Sequence, residues 1–478
     1  MFRIFQKPLK RIRGLRPRNI GKSFIEKTFK NPDYTVSTSL GSLNVFSLAL
    51  PLLLETLAAR MIAIINSAVL SGYSENSVAA VGSANTIINF SSIDFTVIST
   101  GGTVVISNMI GAERLKRAFS TAFTQIILCG FLGLLCTGLM LVFYKPILAF
   151  MNLENEVLAE ATLFYKIRVS AIVISAVSSG ISALLRCFGH AKITVEINFI
   201  TILTSLVLNV YVIKFAEYSP VTGVAGIALG TVISQLVGLA LNLYFIRKKK
   251  IRLIAPKSVS AFFTYAKKIL SIGIPAGLSG STFSLSQIVS TSFIALIGTY
   301  ALSGKVYYDN ILCYAYLFSM SLGNANSLLV GRLTGGGKIE QAKALCRRLV
   351  KLTVTVNFII CALIIILYKP LMAIFTENPL IVRMALWVFI IDTVAELSRG
   401  ISQVYEYALR GAGDMKFMLI VTVCSCWAIS VGLSYLLSIE LGLGIIGCYV
   451  AVAIDELIRA VSSVYRWRSG NWAKIKGL

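Results

Sequence analysis

Charge is scarce in this sequence. Only 14% of its 478 residues are Asp, Glu, Lys or Arg, against about a quarter in soluble globular domains. Acidic residues are the rarer sign, 21 against 45 basic. Histidine occurs once, as His190 in RCFGHAK. A proton relay or metal site built from several imidazoles is therefore excluded, and His190 is expected to be a solvated loop residue. The nine cysteines include no CxxC pair with a downstream histidine; Cys424 and Cys426 in TVCSCW come nearest. That argues against a zinc site or a disulfide scaffold and leaves them as small packing residues. No GxxxxGK[ST] loop is present: TGGGK at 334–338 lacks the spacing and follows no buried strand, so ATP is not the direct energy source. No HExxH, paired-metal cluster or His/Asp nucleophile set appears, so the chain is expected not to be an enzyme and to hold no metal or organic cofactor.

What is abundant is apolar: 56% of residues are hydrophobic and the mean hydropathy is +0.79. Apolar runs of about twenty residues, each long enough to cross the hydrocarbon core, recur along the chain. They predict an all-α polytopic membrane protein with spans at 43–71, 78–110, 119–147, 161–185, 194–213, 223–246, 267–299, 302–330, 346–368, 381–409, 415–438 and 443–465. With a cytoplasmic N-terminus, the basic segments share one side: KPLKRIRGLRPRNIGK (7–22), ERLKR (113–117), RKKKIR (247–252), the run around GRLTGGGK (331–338) and RWRSGNWAKIK (466–476). The opposite side carries the acidic MNLENEVLAE (151–160). This asymmetry is the positive-inside rule and places both termini in the cytoplasm of a cell whose plasma membrane the chain spans. It also accounts for the net charge of +24 without nucleic acid, since the basic residues flank spans and are not interleaved with exposed aromatics. The expected division is a tail at 1–41 with no signal-peptide core, an N-lobe at 42–246, a basic linker at 247–266, a C-lobe at 267–466 and a tail at 467–478. The expected partners are the bilayer, small organic molecules and a coupling cation, with the chain a monomer.

The chain repeats itself at an offset of 224 residues. Pro51 in ALPLLLE matches Pro275 in GIPAGLS, and Gly111 and Ala118 match Gly335 and Ala342. Tyr144-Lys145-Pro146 matches Tyr368-Lys369-Pro370, and Leu185-Arg186 with Gly189 matches Leu409-Arg410 with Gly413. Two six-span units of one orientation follow, related by an axis along the membrane normal, a construction in which transporters place substrate between repeats.

The ordered set of these motifs resembles the MATE (multidrug and toxic compound extrusion) family over residues 41–470, with AAVGSA (79–84) and AIDELIRAVSSVYRWRSGNW (453–472) adding to it. The details look closest to the bacterial DinF-like branch. The resemblance implies two six-helix lobes and a central cavity that opens alternately to either side. It also implies export of mostly cationic, amphipathic compounds against inward Na⁺ or H⁺ flow. The family's usual acids are missing. Asn66 and Ser67 stand where members carry an aspartate in the first span, Phe283 where others carry a glutamate, and Arg399 where a third acid is frequent.

Ionisable residues inside spans are costly and normally face protein or water. In the tenth span Asp392, Glu396, Arg399, Gln403, Glu406 and Arg410 follow at spacings of 4, 3, 4, 3 and 4, which is one helix face. Their counterparts 224 residues earlier are Arg168, Ile172, Ser175, Ser179, Ser182 and Arg186, so the acids belong to the C-lobe. Two readings stand: Asp392, Glu396 and Arg399 neutralise one another and lock packing, or they line the cavity and take up a proton, cation or substrate. Further candidates are Glu55 and Arg60, Asp94, the Lys305–Asp309 pair, and Asp455 with Arg459 as a structural clamp, with Glu456 on another face. The aromatics Tyr307, Tyr308, Tyr314, Tyr316 and Phe318 suit organic cations or core packing alike. The leading function is a secondary active exporter; a flippase for a lipid-linked saccharide or other amphipathic anion is the alternative within transport, and a membrane-embedded transferase the one outside it.

Overall fold

The computed structural model describes residues 32–38, 41–71, 75–149, 155–214 and 223–474, and for 62–71, 75–76, 78–79, 86, 89–96, 155–156 and 213–214 the backbone alone. Twelve long helical segments follow one another. They are α1 (Val45–Ser71), α2 (Glu75–Gly111), α3 (Leu115–Val142), a bent α4 (Asn155–Ser170, then Ile172–Cys187), α5 (Ala191–Lys214) and α6 (Gly223–Lys248). The second six are α7 (Val259–Ile297), α8 (Thr299–Gly335), α9 (Ile339–Ile366), α10 (Pro379–Gly411), α11 (Met415–Glu440) and α12 (Gly444–Arg468). Among the described residues, α3, α5, α6, α7, α9 and α11 are apolar enough by composition to cross a membrane, and the two halves of α4, bent by 42°, make a seventh span. Parts of α1 and α2 lie outside the described side chains. Helices α10 and α12 carry buried charged side chains of the C-lobe, sheltered by neighbouring helices rather than by lipid, and α8 owes its polarity mainly to Asn, Ser and Tyr side chains along its length.

The repeat is carried into the backbone. Residues 75 and 111, the ends of α2, map onto 299 and 335 of α8, and 115 and 142 of α3 onto 339 and 366 of α9. The short helices Tyr144–Ala149 and Tyr368–Ala373 also match end for end. Gly189 and Gly413 close the fourth and tenth helices with the same φ of 84°, left-handed backbone that glycine adopts without cost. The copies part at the bend in α4, which α10 lacks, and in α11, whose turns widen to π geometry at Ser425–Val431 and Leu436–Glu440.

The two halves meet most closely at the end that carries the basic segments. A Cβ on Gly111 would stand 1.9 Å from the Arg332 carbonyl oxygen, and one on Gly335 1.9 Å from that of Asn108. These contacts are mates across the repeat axis, so α2 and α8 cross backbone to backbone, the approach that small residues permit in membranes. Helices α2 and α7 do likewise at Gly101 and Gly273. Asn108 Nδ2 donates to Thr334 Oγ1 at 3.3 Å and Arg332 Nη2 to the Cys187 carbonyl at 2.5 Å, joining the halves.

Several expected boundaries shift. Residues within the expected tail form a 3-10 turn at Pro32–Tyr34 and an antiparallel hairpin, β1 (Thr35–Thr38) with β2 (Gly41–Asn44). Thr38 accepts from Arg332 Nη1 at 3.2 Å, and Asp33 pairs with Arg348 at 2.9 Å. The expected linker is helical from Val259, capped by the Ser258 side chain. The expected C-terminal tail begins inside α12 and continues into a 3-10 turn, where Trp472 stacks on Trp467 at 4.1 Å and is buried. Tyr144 and Tyr368 begin separate short helices, outside the third and ninth spans. His190 is half-buried beside Lys249, not free in solvent; burial and then that ammonium lower its pKa below the usual 6.5.

Candidate functional site

Helix α10 presents its acids to a cavity of about 300 Å³ in the half of the bundle away from the basic end. Asp392, Glu396 and Arg399 line it from α10, with Lys305, Asp309 and Tyr316 from α8. Phe283 and Gln287 of α7 and Tyr449 of α12 also face it, and among the described residues Arg60 of α1 is the one contribution of the other half. Four of the expected site residues, Asp392, Glu396, Arg399 and Asp309, therefore share one cavity. The Asp309 carboxylate sits at the mouth, held by Lys305 Nζ at 2.5 Å and accepting from Tyr449 Oη at 2.8 Å.

Beneath the wall lies a network of buried charges. Arg399 pairs with Glu396 one turn away and donates from Nε to Glu456 Oε1 at 2.8 Å. Arg459 Nη2 reaches the same Glu456 oxygen at 2.5 Å and Asp455 Oδ2 at 3.2 Å. Ser425, in the widened turn of α11, donates to Asp455 Oδ1. Both guanidiniums also lie on aromatic faces, Arg399 5.6 Å from the Tyr316 ring centre and Arg459 5.0 Å from that of Phe283. Glu456, expected on another face, is thus the junction of the network: its side chain points to α10 because α12 packs along that helix. The pairing that joins it is tertiary, and the only signal in the sequence is its spacing of three from Arg459.

The charges do not balance. Asp392, Glu396, Asp455 and Glu456, each at most 4% exposed, set four carboxylates against the guanidiniums of Arg399 and Arg459, and the cavity wall adds Asp309 on one side and Lys305 and Arg60 on the other, so five acids face four cations. Asp392 Oδ2, Glu396 Oε2 and Glu456 Oε2 are buried with no hydrogen-bond partner among the described residues. Buried carboxylates without matching cations are expensive.

The remaining candidates lie elsewhere. The α10 stripe does not stay in one environment: Arg410 leaves it for a second cavity of about 260 Å³ between the halves, shared with Glu55 and Arg186. Asn198 donates to Glu55 Oε1, while Glu55 Oε2 has no partner. Arg410 pairs with Glu406 at 3.6 Å and covers the Tyr407 ring. Gln403 lines neither cavity, and its Oε1 is buried without a partner. The side chains of Asp94, Asn66 and Ser67 lie outside the described residues. Of the aromatics of α8, Tyr316 lines the first cavity; Tyr308 is buried and donates to the Ile381 carbonyl at 2.7 Å, Tyr307 stacks on Phe375, and Tyr314 is exposed on the outer surface. Among the described residues no group of three or more His, Cys, Asp or Glu side chains is arranged to hold a metal ion.

The fold and sequence have close parallels. The MatE family model matches residues 51–211 and 275–436, once on each half. The uncharacterized transporter YisQ of Bacillus subtilis is 31% identical over 440 residues, covering 91% of this chain and 96% of its own length. The probable multidrug resistance protein NorM of Thermotoga maritima is 25% identical, with 90% and 93% covered. Among solved structures, the Vibrio cholerae MATE transporter VcmN superposes with a TM-score of 0.82 at 18% identity over 90% of this chain and 98% of its own. A transporter of the MOP superfamily from Pyrococcus furiosus gives 0.81 at 18% identity, with 91% and 96% covered, a likeness of fold. Two six-helix halves, their repeat and these matches lead to one conclusion: the chain belongs to the MATE family of membrane transporters.

Proposed function

We propose that this protein is a secondary active efflux transporter, exchanging amphipathic, mostly cationic organic compounds for H⁺ or Na⁺ by alternating access of its two lobes. The observation that carries the reading is the surplus of acid around the α10 cavity: counting its wall and the network beneath it, five carboxylates face four cations, and among the described residues one oxygen of Asp392 and one of Glu396 have no partner. A proton or monovalent cation neutralises that surplus when the cavity is empty of cargo. An organic cation does the same, and Tyr316, Phe283 and Tyr449 offer it aromatic faces. Competition of two cations for one anionic site, in two facing states of different affinity, is what antiport requires. Arg399 acts as a tethered cation in this scheme, holding Glu396 and the Tyr316 face until cargo arrives.

The basic end is then the cytoplasmic face of a bacterial cytoplasmic membrane, with both termini inside, and the monomer is the working unit. Closure of the lobes at that end corresponds to a state open to the outside. The names of relatives such as NorM support drug export, and no feature of the described residues favours a lipid-linked saccharide as cargo. The test is cationic-dye transport in proteoliposomes under an imposed proton or sodium gradient, comparing the natural protein with Asp392→Asn. Gradient-driven transport that the substitution abolishes is expected. Full activity in the variant would reduce the cluster to packing, and no dye movement under either gradient would overturn the antiporter.

A further inference from the structure

A second feature stands apart from the α10 site and does not depend on the transport reading. At the basic end, over the crossing of α2 and α8, lies a cavity of about 540 Å³. Arg114 enters it from the N-terminal half, Arg332 and Lys338 from the C-terminal half, and Thr38 from the hairpin; Glu113 is the acid in its wall. Among the described residues three cations therefore face one carboxylate. Arg332 is 2% exposed, and although its Nη1 and Nη2 bond Thr38 and Cys187, its Nε is buried with no partner among the described residues. Arg114 and Lys338 are mates across the repeat, and each starts a helix that no side chain caps. Helix starts carry partial positive charge and unsatisfied N–H groups. Two of them border one cationic cavity.

We propose that this cavity binds a phosphate-class anion that bridges the two halves and favours closure of the basic end. The chemistry asks for a multiply charged ligand with several acceptor oxygens, able to meet Arg114 on one half and Arg332 and Lys338 on the other at once. A free phosphate and the phosphomonoester headgroup of an anionic lipid both fit. The site exists only while the halves are together, so its ligand shifts the population towards that state.

The test uses the full chain. Delipidated protein in detergent is titrated with inorganic phosphate against chloride at matched ionic strength; in parallel, nanodiscs of phosphatidylcholine are compared with nanodiscs containing phosphatidic acid. Melting temperature and maleimide modification of Cys187, buried beside Arg332 and followed by peptide mapping, are the readouts. Phosphate or phosphatidic acid is expected to raise the first and slow the second. Arg114→Gln with Lys338→Gln, both exposed side chains, is expected to raise the half-saturating concentration about tenfold or more, and Lys338→Gln alone serves if the pair folds poorly. A response to phosphatidic acid alone assigns a lipid headgroup; a response to free phosphate assigns a soluble anion. Equal effects of chloride, an unchanged response in the variants, or no response in either arm would overturn the site.

Discussion

Glu456 and Asp392 lie in one cluster and separate its structural part from its chemical part. Glu456 accepts from both guanidiniums, so Glu456→Gln leaves Arg399 and Arg459 short of their shared anion. Breaking a buried ion pair from one side costs about 3–5 kcal/mol, and the variant is expected to melt well below the natural protein. Among the described residues Asp392 Oδ2 has no hydrogen-bond partner, so Asp392→Asn is expected to keep the melting temperature or raise it while coupled transport is lost. Equal destabilisation by the two changes would make Asp392 a packing residue. His190 offers a separate check, since a sole histidine gives an unambiguous NMR titration. Its pKa is lowered in the fold, so the unfolded chain binds the proton more readily. Stability is then whole above about pH 6.5 and declines as pH falls from there towards the lower folded value; a folded pKa at or above 6.5 would contradict the burial. The spacing of Asp392, Glu396 and Arg399 made them legible in the sequence because one helix face is a local property. Glu456 was not legible, because its partners are 57 and 3 residues away and the longer link depends on how α12 packs.

At the scale of elements, the glycines of α2 and α8 set how closely the halves approach. A methyl group at Gly335 would sit 1.9 Å from the Asn108 carbonyl oxygen, which is backbone and cannot swing aside. Gly335→Ala is expected to lower the melting temperature and open Cys187 to maleimide, whereas Gly138→Ala, with nothing within 4 Å of the added carbon, is expected to change neither. Unaltered Cys187 protection in Gly335→Ala would mean that the crossing does not seal the basic end. The repeat told which helices correspond, and the matched ends of α2 with α8 and α3 with α9 follow it. It could not tell that α4 bends while α10 runs straight, or that α11 widens at Ser425. These departures arise where the copies have different neighbours: the widened turn brings Ser425 to Asp455, a residue of the network that the N-terminal half lacks.

Over the whole molecule, the contacts at the basic end and the cavity in the opposite half give a direction of access. Val452 lines the α10 cavity. A membrane-impermeant maleimide is expected to modify Val452→Cys from the face opposite the basic loops and to be blocked by a cationic substrate; modification from the basic face alone would reverse the assignment. Hydropathy, the 224-residue offset and the one-sided lysines and arginines determined by themselves that this chain is a duplicated bundle in a membrane. Those signals are periodic or compositional, and the bilayer enforces them on any fold the chain adopts. Which acids share a cavity, which are held by arginines and where the halves touch were decided only by packing. Those outcomes depend on pairs such as Arg399 with Glu456 and Gly111 with Arg332, far apart in sequence and brought together by the way the helices cross.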